Sequence, residues 1–236
     1  MPLSSIELLG VTDSTEDARY AIALRKTAGM FAEAVKIFDE TDDPLKHDWK
    51  LKTETKGNKC YNKHFPVGKV YCLTKEFPLP AQTLFEHHWN EIEKTPEWNP
   101  NVQHSKREHV ISENADIIHY ATSDVVVVKG RDFVVCRMWR KFEESWIVAA
   151  SSFDTDIPVL PKKKRGFVNV CSGRFRPHPQ DANKTILTYL VCVDLKDKLM
   201  PKAVISSGIA EMTIKDASYA LKFIEEEKKK EENNQS

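Results

Sequence analysis

The chain has 236 residues, of which 41% are hydrophobic and 30% charged, and its 35 basic residues balance its 35 acidic ones. This length is sufficient for one domain with a substantial core, and the balanced charge gives no indication of a nucleic-acid partner. No apolar run is long enough to span a membrane, and the opening residues lack the layout of a secretory signal. We therefore expect a cytoplasmic protein.

The cysteines and histidines give no support for metal or disulfide chemistry. The five cysteines form no CxxC pair, and Cys72, Cys136 and Cys192 lie within apolar runs, which is typical of buried thiols. His87 and His88 are adjacent on a predicted helix, so they point in different directions and are expected at the surface. The sequence contains neither a GxSxG motif nor a glycine-rich phosphate loop. We expect no metal, no cofactor and no catalytic residue.

The predicted elements begin with a flexible segment over residues 1–14 and an amphipathic helix over 15–38, in which apolar side chains recur every three or four residues. Short strands follow at 48–52, 60–61 and 69–73, and Pro80 opens a second helix over 81–92. The next half of the chain alternates short β-type segments with short turns, which favours antiparallel pairing. These candidate strands span residues 102–111, 116–122, 125–128, 132–138, 146–153, 166–170, 173–177 and 185–194.

A final helix is predicted over residues 201–228, because Ile205, Ile209, Met212 and Phe223 fall on one apolar stripe. Residues 229–236 are charged and then polar, and we expect a disordered tail. Together the pattern predicts one α+β domain over residues 15–228, with an antiparallel sheet and a long helix at each end.

One connection, residues 154–165, is long and irregular and ends in a basic cluster formed by Lys162, Lys163, Lys164 and Arg165. Long loops in compact domains are often functional. The cluster has three interpretations: a solvated turn, a patch that contacts anionic lipid, or a nuclear signal.

The most informative segment is 125–137, where a run of valines stops at Lys129-Gly130 and a second strand follows. On a regular strand Phe133, Val135 and Arg137 share one face, because side chains alternate with period two. A charge in an apolar interior costs several kcal/mol unless it is paired. Arg137 is therefore either a structural or strand-end arginine, or a polar anchor inside an apolar pocket.

Residues 131–137, with the sequence RDFVVCR, resemble the RDFVxxR signature of START domains, the lipid-transfer domains related to steroidogenic acute regulatory protein. Four further segments are similar to motifs of that family and occur in the same order: DWKL at 48–51, FPLPAQTLF at 77–85, WNPNV at 98–102 and DLKDKLMPK at 194–202. The resemblance implies a helix-grip fold, in which a curved antiparallel sheet wraps a long C-terminal helix and encloses a hydrophobic tunnel for one lipid.

The branch that the sequence resembles most binds sterols and includes the insect carotenoid-binding proteins. In that branch an arginine at the position of Arg137 pairs with an acid on the neighbouring strand. Here the acidic position falls at Tyr120 or Ala121, neither of which is an acid. Asp116 and Asp124 are the remaining candidates, since both share the face of Tyr120 on a regular strand.

The resemblance implies a non-enzymatic, monomeric carrier, peripheral to membranes, that binds and transfers a carotenoid, such as the xanthophyll lutein, or a sterol, such as cholesterol. The altered acidic position favours a carotenoid. A lipid-sensing interaction module and a helix-grip enzyme are the alternatives. The residues expected to bind the ligand are Arg137, Tyr120, Asp124, Phe133, Val135, Met212 and Phe223. The basic cluster 162–165 is expected to contact the membrane.

Overall fold

The computed structural model describes residues 4–124 and 129–234. The predicted strand 125–128 lies outside the described residues. The strands are β1 (Ser4–Leu8), β2 (Val11–Thr15), β3 (Lys50–Thr55), β4 (Asn58–Phe65), β5 (Gly68–Phe77), β6 (Val102–Ser112), β7 (Ala115–Thr122), β8 (Arg131–Phe142), β9 (Ser145–Ser152), β10 (Lys164–Arg165), β11 (Phe167–His178) and β12 (Asp181–Asp194). The helices are α1 (Ala18–Phe38), α2 (Ala81–Asn90), α3 (Thr95–Trp98) and α4 (Lys202–Asn234).

One large sheet dominates the described part of the chain, with the strand order β3-β4-β5-β12-β11-β9-β8-β7-β6. Each neighbouring pair on this path is antiparallel, and β10 adds a short parallel pairing to the start of β8. The segments predicted at 166–170 and 173–177 are one strand, β11, interrupted by a register shift between Val168 and Val170. The predicted α+β class and helix-grip fold are confirmed.

The outer face of the sheet is covered by α1, which begins at the capping residue Asp17. Leu24, Phe31 and Phe38 of this helix are buried in the same core as Val134 and Cys136 of β8. The other face of β8 carries Phe133, Val135 and Arg137, as period-two alternation predicts. Because both faces of β8 are covered, the strand is buried along nearly its whole length.

The inner face of the sheet is covered by α4 and closed at one end by α2. Ala210, Ile214 and Ala217 of α4 pack against Cys60, Tyr71 and Leu73 of β4 and β5. Side chains of α2 form a second apolar cluster with β11, β12 and the later part of α4. This cluster contains Leu84, Phe85, Trp89, Phe175, Leu187 and Ile224. A space remains between the sheet and α4.

The structure corrects the two predicted chain ends. Residues expected to be flexible form the hairpin β1–β2, in which Asp13 is fully buried and pairs with Arg140 of β8. The predicted disordered tail begins as a continuation of α4, which extends to Asn234. No helix in the described residues is long and apolar enough to cross a membrane.

Candidate functional site

A cavity of about 380 Å³ lies between the inner face of the sheet and α4. Its walls are mainly apolar and come from the cavity-facing residues of β6, β7, β8, β9, β11 and β12, together with α2, α3 and α4. The apolar wall includes Leu84, Ile118, Phe133, Val135, Val148, Ala150, Phe175, Met212 and Phe223. A volume of this size is within the range of small-molecule sites.

Arg137 lies in the wall of this cavity and is held by an acid directly across the sheet. Asp116 of β7 is its register partner, and the Nε and Nη2 atoms of Arg137 donate to Asp116 Oδ1 and Oδ2 at 2.9 and 2.6 Å. Nη2 also donates to the carbonyl oxygen of Trp89 at 3.2 Å, and the guanidinium lies 4.2 Å from the centre of the Trp89 ring. Two of the three guanidinium nitrogens are thereby fixed.

The third nitrogen, Nη1 of Arg137, has no hydrogen-bond acceptor among the described residues, and it is not enclosed by protein atoms. A second arginine, Arg107 of β6, donates to Asp116 Oδ2 and to the Trp89 carbonyl oxygen, each at 3.0 Å. Arg107 does not line the cavity. The carboxylate of Asp116 is therefore shared, and a fixed guanidinium presents one free N–H edge to the apolar space.

The prediction that the acidic position falls at Tyr120 or Ala121 is wrong. Tyr120 pairs with Phe133, four residues along β8 from Arg137, and Ala121 pairs with Asp132. Asp116 supplies the charge, as one of the two remaining candidates. The other candidate, Asp124, is half exposed in the turn before β8, where its carboxylate accepts from Lys129 and from the amide of Gly130.

His88 is a cavity residue, although the sequence indicated a surface position. It lies on the same face of α2 as Leu84, and its ring packs against Phe175 at 5.3 Å. Burial, with smaller effects of Arg137 and His87, lowers the pKa of His88 to about 4, so the imidazole is neutral at physiological pH. His87 also borders the cavity but contacts Glu91 at 3.3 Å.

A second group of polar side chains lines the cavity away from Arg137. Asp216 of α4 accepts through Oδ1 from the amides of Asn99 and Asn101, at 3.1 and 2.8 Å. Burial raises the pKa of its carboxyl. Tyr120 stacks on Phe133 with ring centres 5.0 Å apart, and its register partner on β6 is Ser105.

At the opposite end from α2 the cavity reaches Lys129, whose side chain is largely exposed. The buried Arg131 connects three segments there: its guanidinium donates to the carbonyl oxygens of Leu195 and Lys129, each at 2.6 Å, and to Asp197 at 2.7 Å. The loop before β10 is bound to the same strand, because Asp132 accepts from the amide of Leu160 at 2.9 Å and pairs with Arg165.

Only part of the basic cluster 162–165 is exposed and free to contact a membrane. Lys163 donates to the carbonyl oxygen of Thr122 at 2.8 Å and its side chain is only 10% exposed. Arg165 binds Asp132 and the carbonyl oxygen of Ile157. Lys162 and Lys164 remain exposed.

Six of the seven predicted ligand residues line one cavity, and Asp124 does not. The six are Arg137, Tyr120, Phe133, Val135, Met212 and Phe223. Sequence reasoning missed His88, Ser105 and Asp216. A signal for Asp216 was present, since it follows Met212 by four residues on the apolar stripe of the last helix. Ser105 carried no comparable signal.

The START domain family model matches residues 43–230. "Steroidogenic acute regulatory-like protein 1" of Caenorhabditis elegans is 33% identical over 238 residues, which cover 98% of this chain and 90% of that protein. The chain belongs to the START domain family, and this membership indicates lipid binding and transport.

Two further similarities agree with this. Human "Steroidogenic acute regulatory protein, mitochondrial" is 29% identical over 75% of this chain, and the match spans 64% of that longer protein. The structure of "Human StAR-related lipid transfer protein 5" superposes with a TM-score of 0.74 at 18% identity, covering 87% of this chain and 97% of that one. The superposition supports the helix-grip fold.

Proposed function

We propose that this protein is a non-enzymatic, monomeric carrier that holds one sterol-sized lipid in the cavity and transfers it between membranes. The observation that carries the proposal is the apolar cavity with a single fixed guanidinium edge, Nη1 of Arg137, free to donate to a ligand oxygen. A sterol has a matching distribution of polarity, because a hydroxyl lies at one end of a rigid hydrocarbon body.

The size of the cavity and the pairing of Arg137 both favour a sterol over a carotenoid. A carotenoid has more carbon atoms and a longer extended body than a sterol, and about 380 Å³ is at the small end of ligand sites. The argument for a carotenoid depended on a missing acid, and Asp116 supplies that acid. The relatives named as steroidogenic regulatory proteins point to the same ligand class.

Binding of this kind is driven by removal of apolar surface from water, at roughly 25 cal/mol per Å². A hydrogen bond from Arg137 then orients the molecule and excludes ligands without an oxygen at that end. Because Asp116 already accepts from Nε and Nη2 of Arg137, only the Nη1 edge remains, which suits a single hydroxyl or carbonyl oxygen.

The chemistry of the cavity supports a carrier more than an enzyme. Cys171 lines the cavity, but burial raises the pKa of its thiol to about 11, so it is protonated and weakly nucleophilic at neutral pH. His88 is not hydrogen-bonded to a nucleophile among the described residues, which leaves it without the partner that acid–base activation requires.

We place the membrane contact at the loop end of the cavity. Leu199, in the loop between β12 and α4, is 95% exposed, and Val159 in the other loop is 43% exposed. Lys162 and Lys164 lie in or next to the second loop, and both are exposed. Exposed apolar tips beside lysines fit the interface of an anionic bilayer. Arg131 and Asp132 hold these loops against β8, so their release would open the cavity.

A vesicle assay tests this function. The purified protein is mixed with donor vesicles that contain a fluorescent sterol and with acceptor vesicles that contain a quencher, and a parallel set carries a xanthophyll carotenoid. The proposal predicts sterol transfer that increases with protein concentration and little carotenoid transfer. A soluble coloured carotenoid complex, without sterol transfer, would contradict it, and chemical conversion of the sterol would show an enzyme.

A further inference from the structure

Asp216 is an unexpected residue in an apolar cavity, because its carboxyl forms no ion pair with any residue that the structure describes. Hydrogen bonds from Asn99 and Asn101 both end on Oδ1, and the other oxygen, Oδ2, has no protein donor in the described part of the chain. Among the described residues, no lysine, arginine or histidine affects the pKa of this carboxyl. A buried polar group without a full set of partners is costly unless a ligand completes it.

Two more polar groups beside it are also without partners. The hydroxyl of Ser105 is buried and has no hydrogen-bond partner among the described residues. Tyr120, its register partner, lines the same cavity, and no hydrogen bond to its hydroxyl is found within residues 4–124 and 129–234. Asp216 is close enough to Tyr120 to influence the pKa of its hydroxyl, which burial raises far more strongly. Three polar groups that lack a hydrogen-bond partner in the described residues therefore line the same region: Asp216 Oδ2 and the hydroxyls of Ser105 and Tyr120.

This region is well separated from Arg137. On β7, Tyr120 lies four residues from Asp116, which is the partner of Arg137, and four residues of strand span about 13 Å. Asn101 is anchored near the far end of β7, because its carbonyl oxygen accepts from the amide of Ser123 at 2.8 Å. The cavity thus has one polar pole at Arg137 and another at Asp216, with the paired residues Ile118 and Val135 between them.

We infer that Asp216, Tyr120 and Ser105 form a second polar subsite, and that the ligand is a lipid of sterol size with an oxygen at each end, such as a sterol hydroxylated on its side chain. The inference rests on the proposed function and specifies its ligand class. A ligand with one oxygen binds at the Arg137 pole and leaves Oδ2 of Asp216 without a donor. A second hydroxyl supplies both a donor and an acceptor to the unfilled groups.

Competition binding tests this subsite. A fluorescent sterol is displaced by cholesterol or by a sterol that carries an additional hydroxyl on its side chain, using the full chain. The wild-type protein is expected to bind the dihydroxylated sterol about tenfold more tightly, the effect of one net hydrogen bond or two in an apolar site.

Three variants locate the effect. Tyr120→Phe keeps the ring stacked on Phe133 and is expected to reduce the preference several-fold. Asp216→Leu is expected to abolish the preference and to strengthen cholesterol binding, because an apolar side chain then faces the hydrocarbon tail. The control is Tyr71→Phe, which removes a hydroxyl bonded to Ser206 at 2.8 Å outside the cavity and should leave the preference unchanged.

Equal affinity of the wild-type protein for both sterols would overturn the second subsite while leaving the carrier function intact. A preference that survives in both cavity variants would overturn its location. If neither cholesterol nor the hydroxylated sterol displaced the probe, the proposed function itself would be overturned. If Asp216→Leu does not fold, Tyr120→Phe decides the question, since it retains the ring and its packing.

Discussion

Arg137 and Arg107 share the carboxylate of Asp116, but only Arg137 reaches the cavity. Substitution of each arginine in turn can therefore distinguish an effect on ligand binding from an effect on the stability of the fold. Loss of either arginine leaves the other to neutralise Asp116, so neither change leaves a fully unpaired buried charge, which would cost about 3–5 kcal/mol.

We predict that Arg137→Leu weakens sterol binding by about tenfold to a hundredfold, the effect of losing a hydrogen bond from a charged donor. Arg107→Leu should lower the free energy of unfolding by a similar amount to Arg137→Leu but leave the sterol dissociation constant near that of the wild type. Fluorescent-sterol titration and urea unfolding measure the two quantities. Equal loss of affinity in both variants would show that Arg137 acts only through the fold.

His88 makes stability depend on pH. The folded protein keeps its imidazole neutral down to about pH 4, whereas in the unfolded chain it takes up a proton near pH 6.5. Because the folded pKa is the lower one, protonation between pH 6.5 and pH 4 favours the unfolded chain. The free energy of unfolding is therefore unaffected by His88 above pH 6.5 and decreases as the pH falls towards 4. The loss is at most about 3 kcal/mol.

His88→Gln should flatten the dependence of the unfolding free energy on pH between 6.5 and 4. The exposed His64 provides the control, and His64→Gln should leave the slope as it is in the wild type. Urea unfolding at several pH values gives the measurement. An unchanged slope in His88→Gln would mean that the cavity does not disfavour the charged imidazole.

At the scale of single residues, the sequence was sufficient to select Arg137 but not its partner. Alternation along β8 placed Phe133, Val135 and Arg137 on one face without any structural information. The partner depends on the register between β7 and β8, which is determined by the turn between them. An error of four or five residues in the turn length moves the expected acid from Asp116 to Tyr120 or Ala121.

At the scale of elements, the β1–β2 hairpin is attached to the sheet by a buried ion pair. Asp13 and Arg140 are both almost fully buried and pair directly, and Arg140 also donates to the carbonyl oxygen of Leu8 at 2.9 Å. Asp13 accepts from the hydroxyl of Ser112 as well. The hairpin is therefore fixed by polar contacts with strands far along the chain.

Asp13→Ala should destabilise the protein by about 3–5 kcal/mol, because Arg140 is left buried without its acid. The double variant Asp13→Ala/Arg140→Met should recover part of this loss, since it removes the unpaired charge. A double-mutant cycle from chemical unfolding measures the coupling between the two residues. Strictly additive losses would show that the pair does not hold the hairpin.

The loops at the open end of the cavity are expected to control exchange with membranes. Leu199→Glu should slow sterol transfer from anionic vesicles several-fold. Lys162→Gln/Lys164→Gln should slow it by up to about thirtyfold at low salt, because each lysine near an anionic surface contributes about 1 kcal/mol. Equilibrium sterol binding should change little. Vesicle transfer rates and sterol titrations provide the two measurements.

The matched control for the apolar tip is Leu45→Glu, in a short helical turn after α1, where Leu45 is 67% exposed and does not line the cavity. This variant should transfer sterol at the wild-type rate. Equal slowing by Leu45→Glu and Leu199→Glu would place the membrane contact elsewhere.

The spacing of apolar residues predicted helices and strands well where it was regular. It failed where contacts between distant parts of the chain determine the structure. The helix over 15–38 and the strands predicted at 102–111, 116–122 and 146–153 were expected within a few residues of their observed limits. The hairpin β1–β2 was missed because it pairs with itself and with Arg140, more than a hundred residues away. No local pattern encodes such a partner.

At the scale of the whole molecule, one sheet serves two functions. Its outer face is filled by α1 and forms a conventional core, whereas its inner face is covered by α4 without being filled. The same alternation along β8 therefore supplies packing residues to one side and ligand residues to the other. The sequence indicated this division through motifs that resemble START domains. The volume of the cavity and the second polar pole at Asp216 could not be predicted, because both depend on how α4 lies over the strands.

Native mass spectrometry tests the central claim most directly. The protein is incubated with vesicles that contain cholesterol, a side-chain-hydroxylated sterol, a xanthophyll carotenoid and phospholipid, and is then recovered and weighed intact. The account predicts one sterol per chain, with the hydroxylated sterol favoured. Recovery of the protein with a carotenoid or a phospholipid, or without any bound lipid, would contradict it.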